Sequence, residues 1–205
     1  MTNHEYDAIW RAQGATVLCG VDEAGRGPLA GPVFAAAVVL NPDDPIEGLN
    51  DSKKLTEKKR EALFDEICNR SLAWAVASAS VEEIEAVNIL NATYLAMSRA
   101  VEQVTKELTP SLVLIDGNRI PPQITLPCQY VVKGDALSAT ISAASVLAKV
   151  SRDRLLLEWD KEYPQYDFAK HKGYGTALHY ERLKTYGPSP IHRMSFLKKW
   201  LESGK

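Results

Sequence analysis

The sequence predicts an α/β fold: a mixed β-sheet flanked by helices, with a helical extension at its C-terminal end. Three observations predict it. Five short apolar runs stand between turn-forming residues, long enough for strands and too short for membrane-crossing helices. The first two runs succeed each other with no helical pattern between them, whereas the later ones alternate with segments of helical periodicity. That order suits a mixed sheet rather than a wholly parallel one. From about residue 165 to residue 205 the pattern is helical only, so this stretch reads as an appendage to one domain spanning 1–205.

Residues 16–21 and 33–40 (VFAAAVVL) are the first two strands, the second apolar throughout, as burial on both faces requires. A segment rich in glycine and proline joins them, and NPDDP at 41–45 is a loop. Thr56 fits an N-cap, and Leu63, Phe64 and Ile67 follow at helical spacing. LAWAVASAS at 72–80 is the third strand. Ser80 and Glu83 then form a capping box before a short helix. A long helix comes next, with Leu90, Met97, Val101, Val104 and Leu108 on one face, stopped by the Thr-Pro pair at 109–110. LVLI at 112–115 is a buried strand that ends at Asp116, and QYVV at 129–132 is another that leads to Asp135. Residues 138–163 make one helix; its Ala- and Ser-rich first half lets it lie close against a neighbour, and Pro164 ends it. Thr176 caps a further helix closed by the Gly-Pro pair at 187–188.

Composition bounds the function. Hydrophobic residues make up 45% and charged residues 24%, the balance of an ordinary water-soluble protein, with neither a signal peptide nor a membrane span expected. The cysteines Cys19, Cys68 and Cys128 are far apart and form no CxxC pair, which argues against a zinc site or disulfide framework and for a reducing cytoplasm. The net charge of −2 conceals a gradient: about −5 over residues 1–50, −2 over 51–148 and +5 over 149–205. A polyanion held at the basic end and cations at the acidic end would fit it.

Asp22, Asp116 and Asp135 all fall at or just beyond the C-terminal ends of apolar runs, the edge where open α/β sheets bind ligands. Gathered there with Glu23, they would repel one another unless a cation sat among them. Hard oxygen donors without nearby His or Cys suit Mg²⁺ or Mn²⁺, and such a centre suits phosphoryl chemistry. Adjacent strand residues point to opposite faces, so Asp22 and Glu23 share one site if the strand breaks or bulges at the glycines that follow, or if Glu23 contributes its backbone carbonyl. Read alone, Asp116 also fits a turn aspartate and Asp135 a partner of a helix dipole. A nucleotide phosphotransferase is disfavoured because GxxxxGK[ST] is absent. A binding-only protein stays open on these residues.

Seven motifs then narrow the reading. DEAGRGPLAGPV at 22–33, DSKKL at 51–55, LIDGN at 114–118, VVKGD at 131–135, SAASVLAKVSRD at 142–153, HKGYGT at 171–176 and HRMSF at 192–196 together resemble ribonuclease HII, the bacterial type 2 ribonuclease H. The resemblance runs collinearly from about residue 17 to residue 197. The type 3 relative normally carries an extra N-terminal domain, whereas about 16 residues precede the first strand here.

The resemblance implies a ribonuclease H-like sheet and a metal-dependent endonuclease. Asp22, Glu23, Asp116 and Asp135 would hold two divalent ions, Mn²⁺ or Mg²⁺. The substrates would be RNA/DNA hybrids and duplex DNA containing single ribonucleotides, cut 5′ to a ribonucleotide to leave 3′-hydroxyl and 5′-phosphate ends during replication and repair. Gly25, Arg26 and Gly27, with Tyr174, would recognise the 2′-hydroxyl, the group that tells RNA from DNA. Lys53, Lys54, Lys170 and Lys172 would meet phosphates, and His171 a phosphate or a structural neighbour. Ser142 could touch a phosphate or pack, and Ser145 is expected to pack. A monomer is the default; a sliding-clamp partner for the tail FLKKWLESGK is left undetermined.

Overall fold

Strand β1 (Leu18–Ala24) forms the middle of the molecule because it is paired on both sides. It runs antiparallel to β2 (Val33–Val39) and parallel to β4 (Leu112–Asp116). With β3 (Ala73–Ala79) beyond β2 and β5 (Cys128–Val131) beyond β4, the order is β3-β2-β1-β4-β5, a mixed five-stranded sheet. The structure, a computed structural model, describes residues 1–203; Gly204 and Lys205, the end of the expected tail, lie outside the described residues.

Helices cover both faces. α3 (Val81–Glu107) lies on one, burying Ile84, Met97, Val101 and Val104 against Val33, Ala35, Val113 and Ile115. α5 (Ala139–Glu162) and α2 (Glu57–Arg70) lie on the other, where Ala143, Leu147 and Val150 meet Ala36, Val38, Leu63 and Ile67. The small residues anticipated on α5 do bring it close. A Cβ placed on Gly20 of β1 would stand 2.2 Å from the backbone carbon of Thr140, so only glycine permits this approach. α1 (Asn3–Ala12) caps one end of the sheet, with Tyr6 and Trp10 against Leu18, Leu114 and Ile141. α6 (Phe168–His171), α7 (Ala177–Tyr186) and α8 (Met194–Glu202) surround a separate cluster of Leu29, Leu156, Phe168 and Leu197. Among the described residues no helix is long and apolar enough to cross a membrane.

The expected caps are present. Thr56, Ser80 and Thr176 each accept a backbone N–H at a helix start, and Ser80 with Glu83 completes the capping box; Ser138, where a helix but no cap is expected, does the same for α5. The short and the long helix expected after Ser80 are also there: α3 is broken at Asn88, whose backbone is non-helical at a φ of 68° and whose Oδ1 accepts from the N–H groups of Leu90 and Asn91 at the start of the longer part. One expectation needs correction: β1 neither stops at residue 21 nor bulges at the acids. Pairing with β2 continues in register through Asp22↔Ala36, Glu23↔Ala35 and Ala24↔Phe34, so the partner strand holds the acids extended.

Candidate metal centre

Regular strand geometry sends neighbouring side chains to opposite faces, and the two acids of β1 obey it. Asp22 turns toward α5 and is 5% exposed. Asp116 ends the parallel neighbour β4, and Asp135 comes from α4 (Gly134–Leu137), a one-turn helix after β5. Asp22, Asp116 and Asp135 each bring a carboxylate oxygen within 4.8 Å of the others. Glu23 stands beside them on the far side of β1, linked to Arg26 by a 3.3 Å ion pair. It borders a cleft of about 310 Å³ with Asp116, Tyr94 and Arg119.

This crowding is felt electrostatically. Burial, followed by the charges of Glu23 and Asp116, pushes the Asp22 carboxyl well above its ordinary range. Asp116 is raised by burial first and by Glu23, against backbone hydrogen bonds from the Asp135 and Gly134 amides. Asp135 is raised by burial, Asp116 and Asp51. Lys53 experiences the same field: desolvation lowers its pKa, but Asp22, Asp51, Asp135 and Asp116 together raise it. Three hard oxygens this close, none paired with a cation inside 4 Å among the described residues, are a donor set that a divalent ion fits.

A second cleft, about 550 Å³, opens on the other side of Glu23. Its walls include Gly25, Arg26, Gly27, Lys53, Lys149 and Tyr174. Gly25 and Gly27 are glycines for different reasons. Gly25 is buried with φ +96°, and a Cβ there would lie 2.2 Å from Arg152 Nε. Gly27 is exposed, and a Cβ there would meet nothing nearer than Tyr174 Cε1 at 3.9 Å. The protein itself thus requires the first glycine and leaves space at the second. Tyr174 is 40% exposed opposite it, its ring facing Lys149 Nζ at 5.7 Å and Arg152 Cζ at 5.8 Å.

Comparison with known proteins places this geometry. The profile of the family described as Ribonuclease HII matches residues 19–199. The chain belongs to the ribonuclease HII family. The ribonuclease HII of Idiomarina loihiensis is 58% identical over 180 residues, covering 88% of this chain and 95% of that protein. That of a Marinomonas species is 59% identical over 188 residues, covering 91% and 94%. The crystal structure of the ribonuclease H2 of Pyrococcus horikoshii superposes with a TM-score of 0.74 at 27% identity, covering 92% and 98%. The chain is a ribonuclease H enzyme, an endonuclease with the ribonuclease H-like fold.

The remaining expected residues separate within this ribonuclease HII fold. Lys53 lines the larger cleft, and Lys54 is exposed on the same turn. Ser142 is fully buried, and its Oγ has no hydrogen-bond partner among the described residues; it packs rather than meeting a phosphate. Ser145, expected to pack, also bonds Ser52 at 2.8 Å, tying the DSKKL turn to α5. Lys170 is exposed and ion-paired with Asp167 at 2.9 Å. The Lys172 ammonium turns back to donate to the Ala169 carbonyl. His171 is buried, bonded to the Tyr166 carbonyl at 2.8 Å and accepting from the Gly173 amide at 3.1 Å, so its role in the structure is internal.

Three features went unseen in the sequence. Asp51, the N-cap of the turn carrying Lys53, adds to the acidic field. Arg152 and Arg193 are both fully buried, yet donate to carbonyls rather than carboxylates. Arg193 holds the Gly25, Arg26 and Gly31 oxygens at 2.7, 3.1 and 2.8 Å; Arg152 holds those of Ala30 and Lys172 at 3.0 Å. Burial lowers the pKa of both, to about 9 for Arg193. The SRD and HRMSF motifs contained them, but carbonyl partners leave no charge pattern to read. Finally, His171, His179 and His192 cluster next to the Tyr174 backbone, the first pair stacked with rings 4.1 Å apart and the second tilted with Nε2 atoms 2.9 Å apart.

Proposed function

We propose that this enzyme hydrolyses the phosphodiester 5′ to a ribonucleotide, in RNA/DNA hybrids and at single ribonucleotides in duplex DNA, leaving 3′-hydroxyl and 5′-phosphate ends. The observation that carries the reading is the meeting of the Asp22, Asp116 and Asp135 oxygens beside a cleft walled by Gly25, Gly27 and Tyr174. Asp22, Asp116 and Asp135 hold the divalent ions, Mn²⁺ or Mg²⁺, and Glu23 joins them through its backbone carbonyl or, across the cleft it shares with Asp116, its carboxylate. When bound, two such ions supply the charge that activates water and stabilises the departing 3′ oxygen.

The chain's own groups do the remainder. The amide and carbonyl groups around Gly27 meet the sugar edge, where the 2′-hydroxyl both donates and accepts. The exposed face of Tyr174 packs on that sugar, and its hydroxyl reaches the same oxygen. Arg152 and Arg193 fix the loop from behind, so recognition costs little reordering. Lys53 and Arg26 meet the flanking phosphates, which set register without reading bases. The biological role that follows is removal of ribonucleotides from DNA in replication and repair, by a cytoplasmic monomer.

The test is a labelled duplex with one embedded ribonucleotide, incubated with Mn²⁺, Mg²⁺ or chelator. Cleavage 5′ to the ribonucleotide with either ion and none with chelator is expected. Asp22→Asn and Asp116→Asn should lose activity by at least about a hundredfold while melting normally, since each removes charge from the ion-binding oxygens. Tyr174→Phe should lower activity at the single ribonucleotide more than on a long hybrid. Full activity in Asp22→Asn would overturn the ligand assignment.

A further inference from the structure

Asp7 lies on α1, in the segment preceding the residues matched to the family, and yet it is 0% exposed. Its carboxylate pairs with no cation among the described residues. It accepts instead from Ser138 Oγ at 2.6 Å, Thr140 Oγ1 at 2.7 Å and the Thr140 backbone N–H at 2.9 Å. An acid at this place meets the positive end of the long helix α5, a favourable situation for an otherwise costly buried charge.

The joint that Asp7 grips is the one that delivers Asp135. Ser138 is at once the last cap of α4 and the first cap of α5. Its amide donates to the Gly134 carbonyl at 2.8 Å, closing the single turn that carries Asp135, and its Oγ accepts from the Ile141 amide at 3.3 Å. The Asp135 amide in turn donates to Asp116 Oδ1 at 3.3 Å. A turn of four residues cannot hold itself in place. The same α1 also bonds the loop before the DSKKL turn, through Asn3 to the Leu49 carbonyl and His4 to the Ile46 carbonyl, both at 2.9 Å.

We propose that Asp7 is a positioning residue of the metal centre: from outside the family-matched segment it clamps the α4–α5 joint and so sets where the Asp135 carboxylate stands. This rests on the reading that Asp135 holds metal. The experiment is Mn²⁺ titration calorimetry on the full chain, with thermal melting alongside, for Asp7→Asn, Asp135→Asn and the double variant.

Asp7→Asn keeps the side chain's size but presents an amide N–H to one of the three donors. It should weaken Mn²⁺ binding about tenfold, the scale of lost outer hydrogen bonds at metal sites, in a chain that still melts cooperatively. In the Asp135→Asn background the same change should cost little more, because the ligand it positions is already altered. Wild-type affinity in Asp7→Asn, or an equal further loss in the double variant, would overturn the proposal and leave Asp7 a stabilising residue only. If Asp7→Asn does not fold, Thr140→Val, which removes one donor and keeps the backbone N–H, takes its place with a smaller loss expected. Unchanged affinity in Asp135→Asn alone would remove the ligand set itself, and the positioning role with it.

Discussion

Gly25 and Gly27 separate two demands that sequence alone runs together. Replacing Gly25 with Ala puts a methyl group into Arg152 at a φ of +96°. Strain in the left-handed region costs about 1–2 kcal/mol and overpacking about 1–3 kcal/mol, so Gly25→Ala should lower stability by about 2–5 kcal/mol in denaturant titration. Gly27→Ala meets no protein atom inside 3.9 Å, and its stability should stay within about 0.5 kcal/mol of the wild type. If the Gly27 backbone approaches the sugar, however, the methyl enters the substrate's space, and cleavage should fall at least about tenfold. Equal losses of stability in both variants would show that the loop's glycines serve folding alone.

At the scale of elements, the cluster of histidines between α6, α7 and α8 carries Tyr174. The Ser189 amide donates to His192 Nδ1, which leaves the proton on His192 Nε2 to face His179 Nε2; His179 Nδ1 then donates to the Tyr174 carbonyl at 3.0 Å. Every ring in this arrangement is neutral, with Ser189 Oγ also 2.7 Å from His192 Nδ1. Burial first, and then a neighbouring histidine, lower the pKa of His179 and His192 to about 4. Because the folded values lie below the unfolded value near 6.5, the unfolded chain binds more protons between the two. The stabilisation is therefore complete above about pH 6.5 and is lost as pH falls toward about 4. Urea unfolding of His192→Gln should show a pH dependence in that window shallower than wild type by about 1.4 kcal/mol per unit, one proton fewer. Parallel curves would contradict it.

The elements also show what was legible and why. The caps at Thr56, Ser80 and Thr176 announce themselves because a hydroxyl and the helix it starts lie within four residues. The acids Asp22, Asp116 and Asp135 were legible because strand ends in this fold class share an edge. The continuation of β1 through Glu23 was not, since it depends on pairing with β2 some ten residues on. The three histidines are likewise spaced for no common face; they meet only after α6, α7 and α8 have folded together.

For the whole molecule, the charge gradient has a measurable counterpart. The two clefts flank Glu23 from opposite sides, and basic residues rim both: Lys53 and Lys149 on one, Arg119 on the other, with Arg26 shared. Under the proposed function a duplex that lies across both would exchange counterions for these side chains. The logarithm of duplex affinity should fall linearly with that of salt concentration, by about 0.9 for each phosphate neutralised. Arg119→Ala should reduce that slope by about one without changing preference among base sequences. An unchanged slope would place the duplex away from the second cleft.

One helix links these scales. α5 meets the joint behind Asp135 at Ser138, the DSKKL turn at Ser145 and the glycine-rich loop at Arg152. Fourteen residues of α-helix between the first and last of these measure about 21 Å, and each residue turns the axis by about 100°. α5 is thus a gauge rod, setting the interval and the angle between the acidic cluster and the glycine-rich loop and, under the proposed function, between scission and recognition. A single residue gained or lost inside this rod would swing Arg152 away from its carbonyls and throw the two ends out of step.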